Sequence, residues 1–358
     1  MAEESNRRMA QRGLDIVRRL VGPLAALLLL MGGVGLVLGQ AGAVRSASET
    51  GTPLQIPLGL VARFAAVPAD NPRTAAKIAL GKQLFWDPRW STTGTVACVS
   101  CHQPEHGWSD PQRFSFDHAG KPTTRHTPTL INRLFSQTQG WSGHHTSLEE
   151  LIAMLPFTSP EAIVRLGSIP DYQEQFQRVF DTAVTAAGVT QALAAYTRTI
   201  LSGHAAYDRF KAGDRQALSE AAQRGLRLFE GKARCTRCHS GFNFTDEDYH
   251  NLGIGMDQET PDLGRATVTQ HDADTGAFKT PTLRDVARRG PYMHDGSLAT
   301  LEQVMDLYVQ GGHANPWLSP KSRRLDLTAA ECADLVTFLK ALTGEVAPEV
   351  SRPPQLPH

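Results

Sequence analysis

Cys98-Val99-Ser100-Cys101-His102 and Cys235-Thr236-Arg237-Cys238-His239 repeat one pattern in two distant parts of the chain, and that repetition decides the fold. Cys-x-x-Cys-His is the attachment signature of a c-type haem. Each thiol can form a thioether to one porphyrin, and the adjacent histidine can reach the iron as proximal ligand. The two copies use four of the 5 cysteines. A zinc ribbon is the competing reading, but its cysteine pairs lie roughly 15–20 residues apart. Here the pairs are far more widely separated, and each carries its own histidine. Neither a dithiol redox pair nor a structural disulfide requires that histidine. The sequence therefore predicts two covalently bound c-type haems.

Lys+Arg and Asp+Glu both number 36 in the 358 residues, so no global field favours nucleic acid. Charge is uneven only at the start. Arg7, Arg8, Arg12, Arg18 and Arg19 precede an apolar run from Leu20 to Leu38, and Ala41-Gly42-Ala43 follows as a small-x-small cleavage pattern. Basic, apolar, then small residues read as a secretory signal over residues 1–43. The same run approaches the roughly 20 residues that span a bilayer, so an uncleaved anchor is the rival reading. Either places the body in the bacterial periplasm, with membrane contact only through this segment. Residues 44–65 are expected to be a linker, flexible to about residue 55. Cys332 falls in a predicted helix and reads as a buried small apolar residue.

Helical periodicity accounts for most of the body. Asn71-Pro72 offers a cap followed by proline at the first helical position, and Ile78, Leu80 and Leu84 continue towards Phe85. Ser147 to Met154 begins with a capping-box pattern. Val189 to Leu201 carries Leu193, Tyr196 and Ile200 along one face, and residues 203–216 read as a domain junction. Thr328-Ala329-Ala330-Glu331 is a capping box for a last helix with Leu335, Val336, Phe338, Leu339 and Leu342 inward. Asp248 to Gly276 reads as a long loop, and residues 347–358 as a disordered proline-rich tail. Gly81-Lys82-Gln83-Leu84-Phe85 before the first motif matches Gly225-Leu226-Arg227-Leu228-Phe229 before the second. Trp108-Ser109-Asp110 after the first is echoed by Phe244-Thr245-Asp246 after the second. These echoes predict an internal duplication. The fold class expected is mainly α, with two cytochrome-c-like haem domains over 66–205 and 206–346.

Further blocks occur in a fixed order: Leu80 to Pro88, Arg125 to Asn132, Tyr196-Thr197-Arg198, Leu201-Ser202-Gly203, Phe278 to Arg284 and Pro291 to Ser297. With the two haem motifs, they make the chain resemble the bacterial di-haem cytochrome c peroxidases, a family that includes MauG, the enzyme that matures methylamine dehydrogenase. The resemblance runs from about residue 66 to 345. It implies reduction of hydrogen peroxide at an N-terminal haem held by His102. Electrons would come through a C-terminal haem held by His239, from a small cytochrome c or cupredoxin.

Other roles follow from the same resemblance. His118 stands where many members carry a removable distal histidine, its alternative being a surface residue. Tyr308 stands where many carry a methionine ligand, as in the MauG branch; Met293 and Met305 are alternatives, and packing alone is another. A phenolate favours the ferric state, whereas methionine raises the potential. Trp141 matches a tryptophan between the haems that could relay electrons. Arg198 and His294 match positions beside the haems, where they could bind propionates or substrate oxygen. The acid–base glutamate falls in strict register on Ala162, leaving Glu161 as the candidate catalytic residue. His126 replaces an asparagine that helps hold calcium, which prefers oxygen ligands, so that ion is in doubt. His144-His145 replaces a Gly-Arg pair.

The resulting expectation is a periplasmic di-haem peroxidase, possible as a homodimer. One rival is MauG-like oxidation of a partner protein by peroxide, motivated by Tyr308. The other is a non-catalytic di-haem electron carrier.

Overall fold

The computed structural model describes residues 53–117, 119–155 and 159–358, so the expected leader, the start of the linker and His118 lie outside the described residues. The first half contains α1 (Ala75–Trp86), then, after the first cysteine motif, α2 (Leu148–Met154), α3 (Pro160–Gly167), α4 (Pro170–Phe180) and α5 (Ala186–Thr197). In the second half, α6 (Ala206–Lys211) and α7 (Glu220–Glu230) precede the other motif. After it come α8 (Ala266–Thr269), α9 (Leu301–Gln310), α10 (Ala329–Lys340) and α11 (Pro348–Ser351). Among the described residues the strands are a two-residue antiparallel pair, β1 (Tyr249–His250) with β2 (Phe278–Lys279), besides isolated bridges. The mainly α expectation holds. No helix among the described residues is long and apolar enough to cross a membrane.

The duplication read from sequence is visible as packing. α1 crosses α5 at Gly81, where a Cβ would collide with the Ala192 carbonyl oxygen and crowd Tyr196. α7 crosses α10 at Gly225, where a Cβ would collide with the Asp334 carbonyl oxygen and crowd Phe338. Removing the side chain lets the backbones approach until flanking apolar residues interlock. Each crossing supports a matching aromatic cluster. Phe85 lies 5.7 Å from Trp108 and 5.2 Å from Tyr196, edge to face. Phe229 lies 6.0 Å from Phe244 and 5.1 Å from Phe338. All six rings are buried, and burial is worth about 1.5–3 kcal/mol for a phenylalanine-sized side chain.

A second duplication joins these clusters to the middle of the molecule. Thr127-Pro128-Thr129-Leu130-Ile131-Asn132 and Thr280-Pro281-Thr282-Leu283-Arg284-Asp285 follow the same path. Each ends in a left-handed residue, Asn132 at φ 59° and Asp285 at φ 56°. In each, the second threonine hydroxyl turns back to the backbone N–H two residues on. Both segments hang from Ser202. Its N–H donates to the Asn132 side chain at 2.9 Å, its carbonyl accepts from the Asn132 amide at 3.2 Å, and its hydroxyl donates to the Asp285 carboxylate.

Four local expectations are corrected. Residues 347–358 are not a disordered tail. They include α11 and lie along the first half, where Tyr196 Oη donates to the Val350 carbonyl at 2.7 Å and Arg89 to the Pro357 carbonyl at 2.7 Å. The end of the expected flexible stretch, at Leu54, packs with Ile56 and Leu60 against Leu134, Phe135 and Leu201. The Asp248–Gly276 loop contains β1 and α8. The cap of α1 is Thr74, whose side chain accepts from the Lys77 N–H; Asn71 instead donates to Glu149 at 2.6 Å.

Candidate active site

Each cysteine motif forms a single 3-10 turn, Cys98–Ser100 and Cys235–Arg237. The histidine N–H closes on the first cysteine carbonyl, at 3.0 Å for His102 and 2.8 Å for His239. Both thiols and the imidazole base are thereby fixed on one short loop. His102 Nδ1 lies 3.2 Å from the Trp108 carbonyl, and His239 Nδ1 lies 3.0 Å from the Phe244 carbonyl. A carbonyl only accepts, so Nδ1 carries the hydrogen and Nε2 keeps its lone pair for a metal. Trp108 (φ 59°) and Phe244 (φ 52°) adopt the left-handed conformation, uncommon outside glycine, and turn these carbonyls towards the rings. They are the first residues of the Trp108-Ser109-Asp110 and Phe244-Thr245-Asp246 echo.

The electrostatics suit a neutral ligand. Burial lowers the pKa of both His102 and His239 to about 4. Burial pushes Cys98 and Cys235 up to about 12 and Cys238 up to about 11, so these thiols stay protonated. A reactive dithiol depends on a stabilised thiolate, the opposite condition. Among the described residues the one cluster with metal-ligand spacing is Cys238, Asp246 and His250, and Asp246 there is already bonded to His250 and Lys321.

A cavity opens beside His239, walled by Leu252, Ile254, Leu301, Val304, Leu335 and Leu339. Tyr308, from α9, lines it together with Cys235, Cys238 and His239. Burial, then the neighbouring thiols, hold its phenol above the usual range and therefore protonated. Met305 and Met293 also line it; Met305 is buried in the second core, and Met293 has a left-handed backbone at φ 74°. Trp141 reaches the same cavity and donates Nε1–H to the His126 carbonyl at 2.7 Å. The His126 ring contacts Ser109 Oγ at 3.1 Å, one residue beyond the carbonyl that orients His102. Trp141 and His126 therefore bridge the surroundings of the two histidines.

The amino-terminal portion, residues 75–216, matches the family model for di-haem cytochrome c peroxidases. Methylamine utilization protein MauG of Methylorubrum extorquens is 40% identical over 302 residues, covering 81% of this chain and 84% of the relative. The chain belongs to the di-haem cytochrome c peroxidase family. Cytochrome c551 peroxidase of Nitrosomonas europaea is 32% identical, with 78% of this chain and 83% of the relative covered. The crystal structure of a MauG-like protein associated with microbial copper homeostasis superposes with a TM-score of 0.76 at 32% identity. It covers 81% of this chain and 96% of that one. Membership makes the protein a haem-dependent peroxidase, and the free Nε2 atoms and apolar cavity fit such a group.

Other residues singled out from the family pattern are dispersed. Arg198 is buried and pairs with both Glu149 oxygens, at 2.6 and 2.7 Å. Glu161 lies exposed in the first turn of α3, its carboxyl held below the usual range by its own backbone N–H and Ser159. Ala162 beside it is fully buried. The stretch before them, 156–158, is outside the described residues. His294 lines the cavity and stacks on Phe278 at 3.5 Å between centroids. His144 is exposed against Ser142, and His145 lies 3.7 Å from Glu150.

Calcium does not fit its expected position. His126 has both ring nitrogens engaged, by Ser109 Oγ and by the Gln112 and Arg113 carbonyls. The buried guanidinium of Arg289 lines the same wall and acts electrostatically on His126. An imidazole and a guanidinium are not donors for a hard cation. Arg289 was missed in the sequence because nothing distinguishes its local pattern from a surface Arg-Arg pair. The Thr-Pro-Thr-Leu duplication could have been found by self-comparison of the sequence.

Proposed function

We propose that this chain is a periplasmic peroxidase with two covalently attached haems, one in each of two domains meeting near residues 205–206. Cys98, Cys101 and His102 would hold the first, and Cys235, Cys238 and His239 the second. The observation that carries this reading is the repeated turn with its carbonyl-oriented histidine. When bound, haem iron supplies the redox chemistry that splits a peroxide O–O bond. The residues contribute positioning and proton control. Trp108 and Phe244 hold each imidazole in one tautomer, while the burial that keeps it neutral leaves Nε2 available. Trp141 offers an oxidisable indole between the two surroundings, braced at Nε1 by the His126 carbonyl. Tyr308 lines the same cavity as His239, and its proton would have to leave before it could ligate as phenolate. Glu161 is the nearest carboxylate in sequence to the expected proton-transfer position, and His118 is the distal candidate on the first haem.

Tyr308 favours a second reading within the same family, peroxide-dependent oxidation of a partner protein. Haem staining of the denatured chain and a haem-to-protein ratio test attachment; fewer than two covalent haems per chain would overturn it. EPR of the oxidised and half-reduced protein, before and after stoichiometric peroxide, separates the readings. Reaction of the fully oxidised form favours partner-protein oxidation, whereas reaction confined to the half-reduced form favours a donor-dependent peroxidase. No reaction in either state removes both.

A further inference from the structure

The cavity beside His239 is unbalanced in charge. Lys279, Arg289, Arg234, Arg237, Lys321 and Arg323 line it, with no aspartate or glutamate among the lining residues. The cations fall into two sets. Lys279 and Arg289 are buried in the wall, and Lys279 is already paired with Glu247 at 2.7 Å, so the unbalanced charge lies on the exposed set. Arg234, Arg237 and Arg323 are exposed, with half-buried Lys321 beside them. Arg234 and Arg237 flank the cysteines, so they belong to the thioether edge, opposite the edge of a porphyrin that carries propionates. Lys321 is bonded to Asp246 at 3.0 Å. None of the three exposed arginines has a carboxylate partner among the described residues. The chain as a whole is neutral, so this rim is a local concentration of charge.

We propose that this rim is the docking face for a small redox protein with an acidic surface around its own redox centre. The proposal rests on the reading that electrons arrive at the His239 haem. Each encounter moves one electron: the reduced donor is oxidised by one unit and the ferric peroxidase is reduced by one. Opposite charge raises the encounter rate, and added salt removes the advantage within a Debye length of about 10 Å at 0.1 M.

The test uses the ferric holoprotein and one lysine-rich mitochondrial cytochrome c in two forms, native and with its lysines succinylated. Stopped-flow reduction by the succinylated form should be faster by about 10-fold or more at low ionic strength, and should slow as salt is added. The variant Arg323→Glu, outside the cysteine motif, should weaken that preference while a small neutral hydroquinone still reduces it at the parent rate. A faster reaction with the native basic form, or salt-independent rates equal for both, overturns the proposal. So does a folded Arg323→Glu variant that keeps the full parent preference. If the variant does not fold, the parent's salt dependence decides. Peroxide consumption with hydroquinone is measured separately; its absence would sink the peroxidase reading and leave the docking result intact.

Discussion

At the scale of single residues, Tyr308 and the Glu149–Arg198 pair carry opposite kinds of information. Tyr308 faces a cavity that already contains the duplicated turn, so its effect should be spectroscopic. Tyr308→Met should change the low-spin EPR signal and raise the potential of one haem while leaving global stability nearly unchanged; an unaltered signal would assign the tyrosine to packing. The Glu149–Arg198 pair should show itself in stability. Burial alone would raise the Glu149 pKa, but hydrogen bonds from Arg198 and Asn71 outweigh it and hold the carboxyl below its ordinary value. A depressed carboxylate stabilises the fold above its unfolded pKa of about 4.3, and the contribution disappears as pH falls through the folded value. Glu149→Gln strands a buried guanidinium, for which a loss of about 3 kcal/mol at pH 7 is expected. Denaturant unfolding should show the gap from the parent narrowing below about pH 4. A gap that stayed constant would rule out the ionic contribution.

Among the elements, the helix crossings at Gly81 and Gly225 control where each cysteine turn starts. Gly225→Ala gains helix propensity of up to about 1 kcal/mol but forces α7 away from α10, and overpacking costs typically about 1–3 kcal/mol. A net destabilisation with reduced haem incorporation at the second motif is expected. Arg227→Ala on the exposed face of α7 should be close to neutral. Equal thermal unfolding for the two variants would contradict the crossing. These elements were legible in the sequence because a glycine and a phenylalanine recur at the same i, i+4 spacing ahead of each Cys-x-x-Cys-His, and an aromatic residue followed two positions later by aspartate recurs after each. The carbonyls orienting His102 and His239 were not, since a backbone oxygen has no side-chain signature. Only the Trp108 and Phe244 echo hinted that those positions matter.

On the scale of the whole molecule, the same limitation explains the misread tail. Proline-rich composition suggested disorder, yet residues 347–358 are held largely through backbone carbonyls reached by Lys82, Gln83, Arg89 and Tyr196. Each such bond contributes about 1 kcal/mol net. Deleting residues 349–358 should lower the unfolding temperature by several degrees, about 2–4 °C per kcal/mol for a protein of this order of size. Haem content should remain unchanged; an identical melting curve would mean the strap is not held in solution. The duplicated fold was readable because a repeat is a relation between residues, whereas the strap pairs side chains with anonymous backbone.

Ser202 has a consequence at this same scale. The two threonine-proline segments both fasten to that one residue, one through Asn132 and the other through Asp285. It serves as a shared datum, in the machinist's sense, from which both histidine loops are measured. Positional errors in the two halves would then be correlated rather than summed. Under the proposed electron path, tunnelling rates would decay exponentially with distance, and a common origin for both loops would keep that distance constant.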